Sequence, residues 1–381
     1  VRIAIVGPAP PDRGGIAQQT RLLAANLGAD LALYASHARP YPRWLDPRRF
    51  ADAPDLAGFE PASERIFDYA RPSSWTRTAE AVRASGAQAV LVPWWTSFWA
   101  LPVRGLFGRL AEIEPEIRRF LLCHNVVEHE TTAWKRVLSR AAFARAHGMI
   151  VHSEGDRARL SGELARKTVR LLALPVERRP RPDRSRVRRE LGIEGPLVLF
   201  LGLVRRYKGV DVLLEAAPQI RAGSGATIAV VGEVFREARA QIRSAPDGVR
   251  LVDRYLREEE MDGWLAACDV VVCPYRRISS SAIAARAVGA GRPIVASDLP
   301  GFRPFVGSET GELVPPGDAP ALARAVLQVI ARGVDSYGPA LERVARRHDW
   351  SAYVAGIRDF CLTTFDNPQS RSSLESSGSR R

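Results

Sequence analysis

The sequence predicts an α/β protein built from two doubly wound parallel-sheet domains that face each other across a cleft. Three observations carry this expectation. Short continuous runs of Val, Ile and Leu recur along the chain and alternate with longer segments of helical period. That is the pattern of parallel strands covered by helices on both faces. The alternation breaks once, at "PVERRPRPDRSR" (175–186), a proline- and charge-rich stretch without periodicity that reads as a linker. Finally, 381 residues is long for a single core, and length favours two domains.

Taken in order, the first half offers strands at 2–6, 30–34, 89–92, 120–123, 149–152 and 169–173, with helices at 15–27, 74–85 and 134–146 among them. After the linker, strands are expected at 197–201, 227–231, 249–252, 270–273, 293–296 and 311–314. The helices between them fall at 210–220, 235–243, 258–267, 281–288 and 319–331. A last amphipathic helix spans 350–365, and the serine- and arginine-rich tail 367–381 has too little apolar content to order itself. The expected division is therefore a first domain at 1–175, a second at 176–347, a C-terminal helix packing back across the domains at 348–366, and the tail.

Composition narrows the class. The chain is 46% hydrophobic and 25% charged, an ordinary globular balance, with no apolar run long enough to span a bilayer. "VRIAIVGPAP" at the start reads as a strand and a turn rather than a signal peptide. The four cysteines lack metal-ligand spacing and sit in apolar settings, which suits reduced core thiols in a cytoplasmic protein. Fifty-five Lys and Arg against 42 Asp and Glu leave a net charge of +13. Such an excess suits an anionic partner, or simply a solvated arginine-rich surface. Nucleic acid is disfavoured because no helix carries a basic stripe interleaved with aromatics. A phosphorylated small molecule and peripheral contact with an anionic membrane at its inner face remain.

In doubly wound sheets ligands meet the loops after the strands, so four loops matter. In "GPAPPDRGGIAQQT", Gly14 and Gly15 open a helix behind the first strand, where paired glycines let backbone N–H groups approach a ligand. A plain glycine turn is the alternative. In "FLLCHNVVEHE", His124 follows a fully apolar strand and can share a proton or donate to a sugar hydroxyl, making it the candidate catalytic residue. A structural strand-end histidine is the alternative. His129, Glu128 and Glu130 do not make HExxH, and no metal site is expected. In "FLGLVRRYKGVDVLLEA", Arg205 and Lys208 precede a helix start, a setting for a diphosphate without a Walker motif. In "CPYRRISSSAIAARAVGAGRPIVASD", Ser280, Ser281 and Ala282 lie where a helix begins, so free N–H groups and hydroxyls would point at the same anion. Simple N-capping by one serine is the alternative there. The tryptophans of "PWWTSFW" (93–99) suit either a stacking platform for an acceptor or core packing.

Together these segments resemble the group 1 glycosyltransferases, retaining nucleotide-sugar enzymes of the GT-B fold with two Rossmann-like domains. "GGIAQQTRLLAANL" resembles the family's glycine loop and first helix. "CHNVVEHE" followed by "AHGMIVHSEGDRARL" resembles its histidine loop and next strand, and "FLGLVRRYKGVDVLLEA" its phosphate-binding loop. "ACDVVVCPYR", "AVGAGRPIVASDLPGFRPFV" and "GELVPPGDAPALARAV" are similar to its donor-site block. The order is right over 1–365. The departures are specific. The family's two glutamates, eight positions apart, fall on Ile278 and Arg286, and its arginine beside the strand-ending glycine falls on Leu203, with Arg205 nearby as a substitute. Ser281 matches a branch with Ser-Gly, Ala282 standing for the glycine.

The resemblance implies a cytoplasmic, metal-independent hexosyltransferase of glycan biosynthesis that uses no cofactor beyond its nucleotide-sugar substrate. The donor would be bound by Arg205, Lys208, Ser280, Ser281 and Ala282 of the second domain together with Gly14 and Gly15 of the first, and the first domain would hold the hydroxyl acceptor. Loss of the glutamate pair keeps a second reading open, a catalytically weakened nucleotide-sugar-binding scaffold. A sugar-nucleotide epimerase on the same fold is a third.

Overall fold

The computed structural model describes residues 1–10, 12, 14–39, 61–126, 133–160, 167–243 and 245–365. The tail at 367–381 and the acidic histidine segment around His129 lie outside the described residues. The chain divides into two compact units, Val1–Ala173 together with the chain from Trp350, and Leu174–Asp349.

The first unit runs β1 (Ile3–Gly7), α1 (Gly15–Leu27), β2 (Leu31–Arg39), β3 (Glu64–Asp68), α2 (Pro72–Ala84), β4 (Ala89–Trp94), α3 (Ala100–Ile113), β5 (Arg118–Cys123), α4 (Ala133–Phe143), β6 (Gly148–Val151), α5 (Glu154–Arg159) and β7 (Thr168–Leu171). The second runs α6 (Arg184–Leu191), β8 (Leu197–Leu201), α7 (Val210–Ser224), β9 (Thr227–Val231), α8 (Arg239–Arg243), β10 (Val249–Val252), α9 (Glu258–Ala267), β11 (Val270–Cys273), α10 (Ala282–Gly289), β12 (Ile294–Ser297), β13 (Gly311–Val314), α11 (Ala319–Arg332) and α12 (Gly338–Arg347). The last helix, α13 (Trp350–Phe365), returns to the first unit.

All pairings between these strands are parallel. The first sheet is ordered β3-β2-β1-β4-β5-β6-β7 and the second β10-β9-β8-β11-β12-β13. Both are doubly wound, as expected. The order reverses between β1 and β4 in one sheet and between β8 and β11 in the other. At such a switch point neighbouring loops diverge to opposite faces and leave room for a ligand at the carboxyl edge.

The central strands are apolar throughout because both faces are covered. Leu197 to Leu201 and Val270 to Cys273 are at most 1% exposed. In the first unit α13 supplies one of the covers. Tyr353, Val354, Ile357, Phe360 and Cys361 pack with Phe120 and Ile150 in one core. Gly148 is needed beneath it, since a Cβ there would stand 2.7 Å from the Phe360 ring. Each large side chain buried this way contributes roughly 1.5–3 kcal/mol, so the helix is integral to this unit. All four cysteines are buried and free.

Elements outside the expected set have local causes. β3 reads "ERIFD" and pairs at the sheet edge, its first two residues exposed, so it offers no apolar run. In α3, Pro102, Gly105 and Gly108 hide the helical period. Gly105 nevertheless has a packing reason, because a Cβ would fall 2.1 Å from the Trp75 ring. α6 begins inside the stretch read as linker, started by Asp183, whose carboxylate accepts from Arg186 N–H at 2.6 Å. The single helix expected at 235–243 is a short 3-10 turn, Arg236–Ala238, running into α8.

Candidate functional site

In the second unit two loops meet at the carboxyl edge of β8 and β11. The loop after β8 turns at Gly202 (φ 97°) and Gly209 (φ 64°), conformations that favour glycine. A Cβ on Gly209 would stand 2.1 Å from the carbonyl oxygen of Pro274, so this loop lies directly on the loop after β11. Arg276 N–H donates to the Tyr207 carbonyl at 2.8 Å, and the Arg276 guanidinium is held bidentately by Asp211, both contacts 2.7 Å. That pairing neutralises Arg276.

Lys208 is placed differently. It is half-buried, and its ammonium lies 5.3 Å from the centre of the Tyr275 ring. A methyl-sized step above Gly202 would meet the Lys208 Nζ at 3.7 Å and Ile283 Cδ1, in the first turn of α10, at 3.2 Å. Burial pushes its pKa down to about 8, partly offset by the neighbouring Cys273 thiol and reinforced by Arg205. A cation is thus held, at a desolvation cost, beside the start of a helix. Arg205 is committed elsewhere. Its guanidinium stacks 3.7 Å over the Phe235 ring and pairs with Glu237 at 3.2 Å.

At the start of α10, Ser281 is the N-cap and its hydroxyl accepts from Ala284 N–H at 3.1 Å. The same hydroxyl is hydrogen-bonded to Tyr275, which stands beside Lys208. Ser280 is half-buried and Ala282 exposed. Ser279 is buried and its hydroxyl has no partner. Capping by Ser281 is therefore real. It leaves the first N–H groups of the helix directed at the carboxyl edge, where the helix dipole favours an anion.

Arg286 lies on the same helix but is directed toward α9. It contacts Glu258 and Asp262, each at 2.6 Å, and is only 15% exposed. Arg179 joins the same acids, at 2.7 Å from Asp262. The side chain at this position is spent on joining two helices.

In the first unit Gly14 has φ 124° and precedes α1, which no side chain caps. Among the described residues a Cβ on Gly14 or Gly15 would meet nothing within 4 Å, so packing does not demand either glycine. His124 stands just beyond β5 and its N–H donates to the Trp94 carbonyl at 2.8 Å. Burial holds its imidazole well below the usual range, and nearby His152 adds to this.

His152 was not singled out by the sequence reading. It follows β6, and the pairing of Cys123 with Val151 sets the two histidines side by side, ring centres 5.2 Å apart. His152 Nδ1 is 2.8 Å from the Leu172 carbonyl, which requires that nitrogen to carry the proton. Nε2 of each histidine is buried without a partner. The signal was present in the sequence as an apolar strand ending in histidine, twice, on adjacent strands. The tryptophans divide. Trp94 and Trp99 are core residues at 2% exposure, with His37 stacked 3.7 Å from Trp99, and Trp95 is half-buried. Among the described residues there is no cluster of three or more His, Cys, Asp or Glu fit to hold a metal.

Residues 195–332 match the family model described as Glycosyl transferases group 1. A phosphatidyl-myo-inositol mannosyltransferase of Mycobacterium leprae is 36% identical over 175 residues, 43% of this chain and 45% of that protein. A 2-deoxystreptamine glucosyltransferase of Streptomyces kanamyceticus is 27% identical over 240 residues, 58% of this chain and 59% of that protein. The chain thus spans about half the length of the curated relatives it matches. Among solved structures, sucrose-phosphate synthase from Thermosynechococcus elongatus superposes with a TM-score of 0.72 at 19% identity, over 96% of this chain and all of that one. HepE from Anabaena, in complex with UDP, gives 0.71 at 16% identity, over 95% of this chain and all of the other. The second unit is therefore related to the group 1 glycosyl transferases, and the chain has the GT-B fold.

Proposed function

We propose that the protein is a glycosyltransferase that moves a sugar from a nucleoside diphosphate-sugar donor to a hydroxyl acceptor, with retention of configuration. The observation that carries this reading is the desolvated ammonium of half-buried Lys208 beside the first turn of α10, at the switch point of the second sheet. A desolvated cation next to the helix N–H groups that Ser281 does not cap is a poor arrangement for stability and a good one for a diphosphate. In the reaction these donors would stabilise the charge that develops on the leaving diphosphate. Arg205 would contribute only by leaving Glu237, so it is secondary to Lys208. The UDP bound to HepE and the sugar-transfer names of the sequence relatives support a nucleotide-sugar donor.

The unpartnered Nε2 atoms of His124 and His152 suit a sugar hydroxyl in the first unit, since one hydroxyl can donate to one ring and accept from the other. His124→Ala is expected to lower turnover about 10²-fold, the lower end of what a proton-transfer group contributes, with affinity for bare UDP or GDP unchanged. Equal loss of nucleotide affinity would assign it a structural role instead.

Arg286 favours the second reading, a binding protein without turnover, because the position aligned with a family glutamate is occupied by an internal ion pair. A thermal-shift screen with UDP and GDP, followed by donor-sugar hydrolysis, tests both. A ligand at a hundred times its dissociation constant raises stability by roughly 2.7 kcal/mol. No shift with any nucleoside diphosphate would sink the donor-site proposal, and a shift without sugar release would leave the scaffold.

A further inference from the structure

We propose that the outer face of α4 is a docking surface for an anionic lipid bilayer. The apolar surface of this helix is wider than the part that is covered. Ala142 and Phe143 are buried, and Leu138 packs against the core cluster that holds Leu106 and Phe107. Beside this covered strip Trp134 is 61% and Val137 65% exposed. Trp134, Val137 and the half-buried Ala141 follow the i, i+3, i+7 spacing of a single row. An indole and a valine facing water on one helix stand out, because most of the large apolar side chains among the described residues are covered.

The charge pattern selects the partner. Between Ala133 and Phe143 there is no acidic residue, while Lys135, Arg136 and Arg140 flank the apolar row, both arginines exposed. A second copy of this chain, with net charge +13, would be repelled, whereas an anionic headgroup layer would be attracted. A tryptophan with neighbouring arginines suits the boundary between headgroups and acyl chains, where the indole buries its rings and keeps its N–H wet. Placement adds a third argument. α3 and α4 follow β4 and β5 in a parallel sheet and pack together, so both start at its carboxyl edge. Leu101, in the first turn of α3, is 57% exposed. The apolar residues Leu101 and Trp134 thus stand at the edge that carries His124, and docking would bring that edge to the lipid. None of the helices described here is long and apolar enough to cross a membrane, so the contact is a surface one.

The test is co-sedimentation of the full chain with phosphatidylcholine vesicles and with equal mixtures of phosphatidylcholine and phosphatidylglycerol, at low and high salt. Binding to the mixed vesicles alone, weakened by salt, is expected. R136E/R140E should reduce it at least fivefold per residue, the equivalent of about 1 kcal/mol for each basic side chain near an anionic surface. W134A/V137S should reduce it with little change in melting temperature, because both side chains are already exposed. Equal binding to neutral vesicles, no binding, or full binding by either variant would overturn the proposal. So would a wild-type dimer in light scattering that W134A/V137S abolishes, which would give the face to a second copy. The outcome does not depend on turnover or nucleotide binding, so it stands or falls apart from the donor-site reading.

Discussion

Lys208→Ala is expected to weaken UDP or GDP binding between about tenfold and a hundredfold and to leave the melting temperature unchanged or raised. The two halves of this result have one cause. In the free protein the ammonium is desolvated, and burial has already drawn its pKa down to about 8. The folded state therefore holds the lysine proton less tightly than the unfolded chain does. Between pH 8 and the ordinary lysine value the unfolded state binds more protons, so the wild type gains stability as pH rises through that window. Alanine removes the desolvation cost at neutral pH and flattens the window. What is lost is the contact with the ligand, and a hydrogen bond between charged groups contributes roughly 1.5–3 kcal/mol. Wild-type affinity should also fall as pH rises above about 8, because only the protonated amine attracts a diphosphate, and the alanine variant should lose that dependence. Isothermal titration across pH 6.5 to about 9.5, beside melting curves, makes the measurement. A variant that binds as tightly as wild type would remove Lys208 from the site.

The fold was readable in the sequence to the extent that each element carried its own signal. The central strands of the second unit, β8 and β11, are buried on both faces and read as uninterrupted apolar runs, and five of the unit's six strands have the bounds expected of them. β3 escaped because its first two residues are charged and exposed and only Ile66 and Phe67 are apolar. The loops of the candidate site were located for the same reason, since each follows a readable strand. What the side chains do in those loops was much less legible. Arg205 and Lys208 are three residues apart and look equivalent in sequence, yet one is taken by Glu237 and Phe235 and the other is left beside α10. Those partners come from another loop, and nothing local announces them. His152 was missed because its meaning depends on β5 and β6 being neighbours in register. Arg286 was recognised as a departure from a family pattern, but its acids, 24 and 28 residues earlier, lie on a different helix.

Arg286→Glu is expected to destabilise the second unit by about 3–5 kcal/mol, the cost of breaking a buried ion pair by removing one partner. If a missing glutamate were all that separated this chain from ribose recognition, the substitution would restore it and tighten UDP binding. The surroundings argue against that outcome. Glu258 and Asp262 each approach the guanidinium at 2.6 Å, and Asp262 is itself only 14% exposed. A carboxylate in place of Arg286 would set three acids together with Arg179 alone to balance them. At a few degrees per kcal/mol for a unit of this size, the melting temperature should fall by on the order of 10 °C, with no gain in UDP affinity. R286E/D262R offers a check on the cause, because it returns one opposite-charge pair to the α9–α10 junction and should recover part of the loss, whereas a cavity or a strained helix would not respond to charge. An R286E protein that melts like wild type and binds UDP more tightly would show that the site chain-wide had kept room for the glutamate, and that the Arg286 pairing contributes nothing to holding α10 in place.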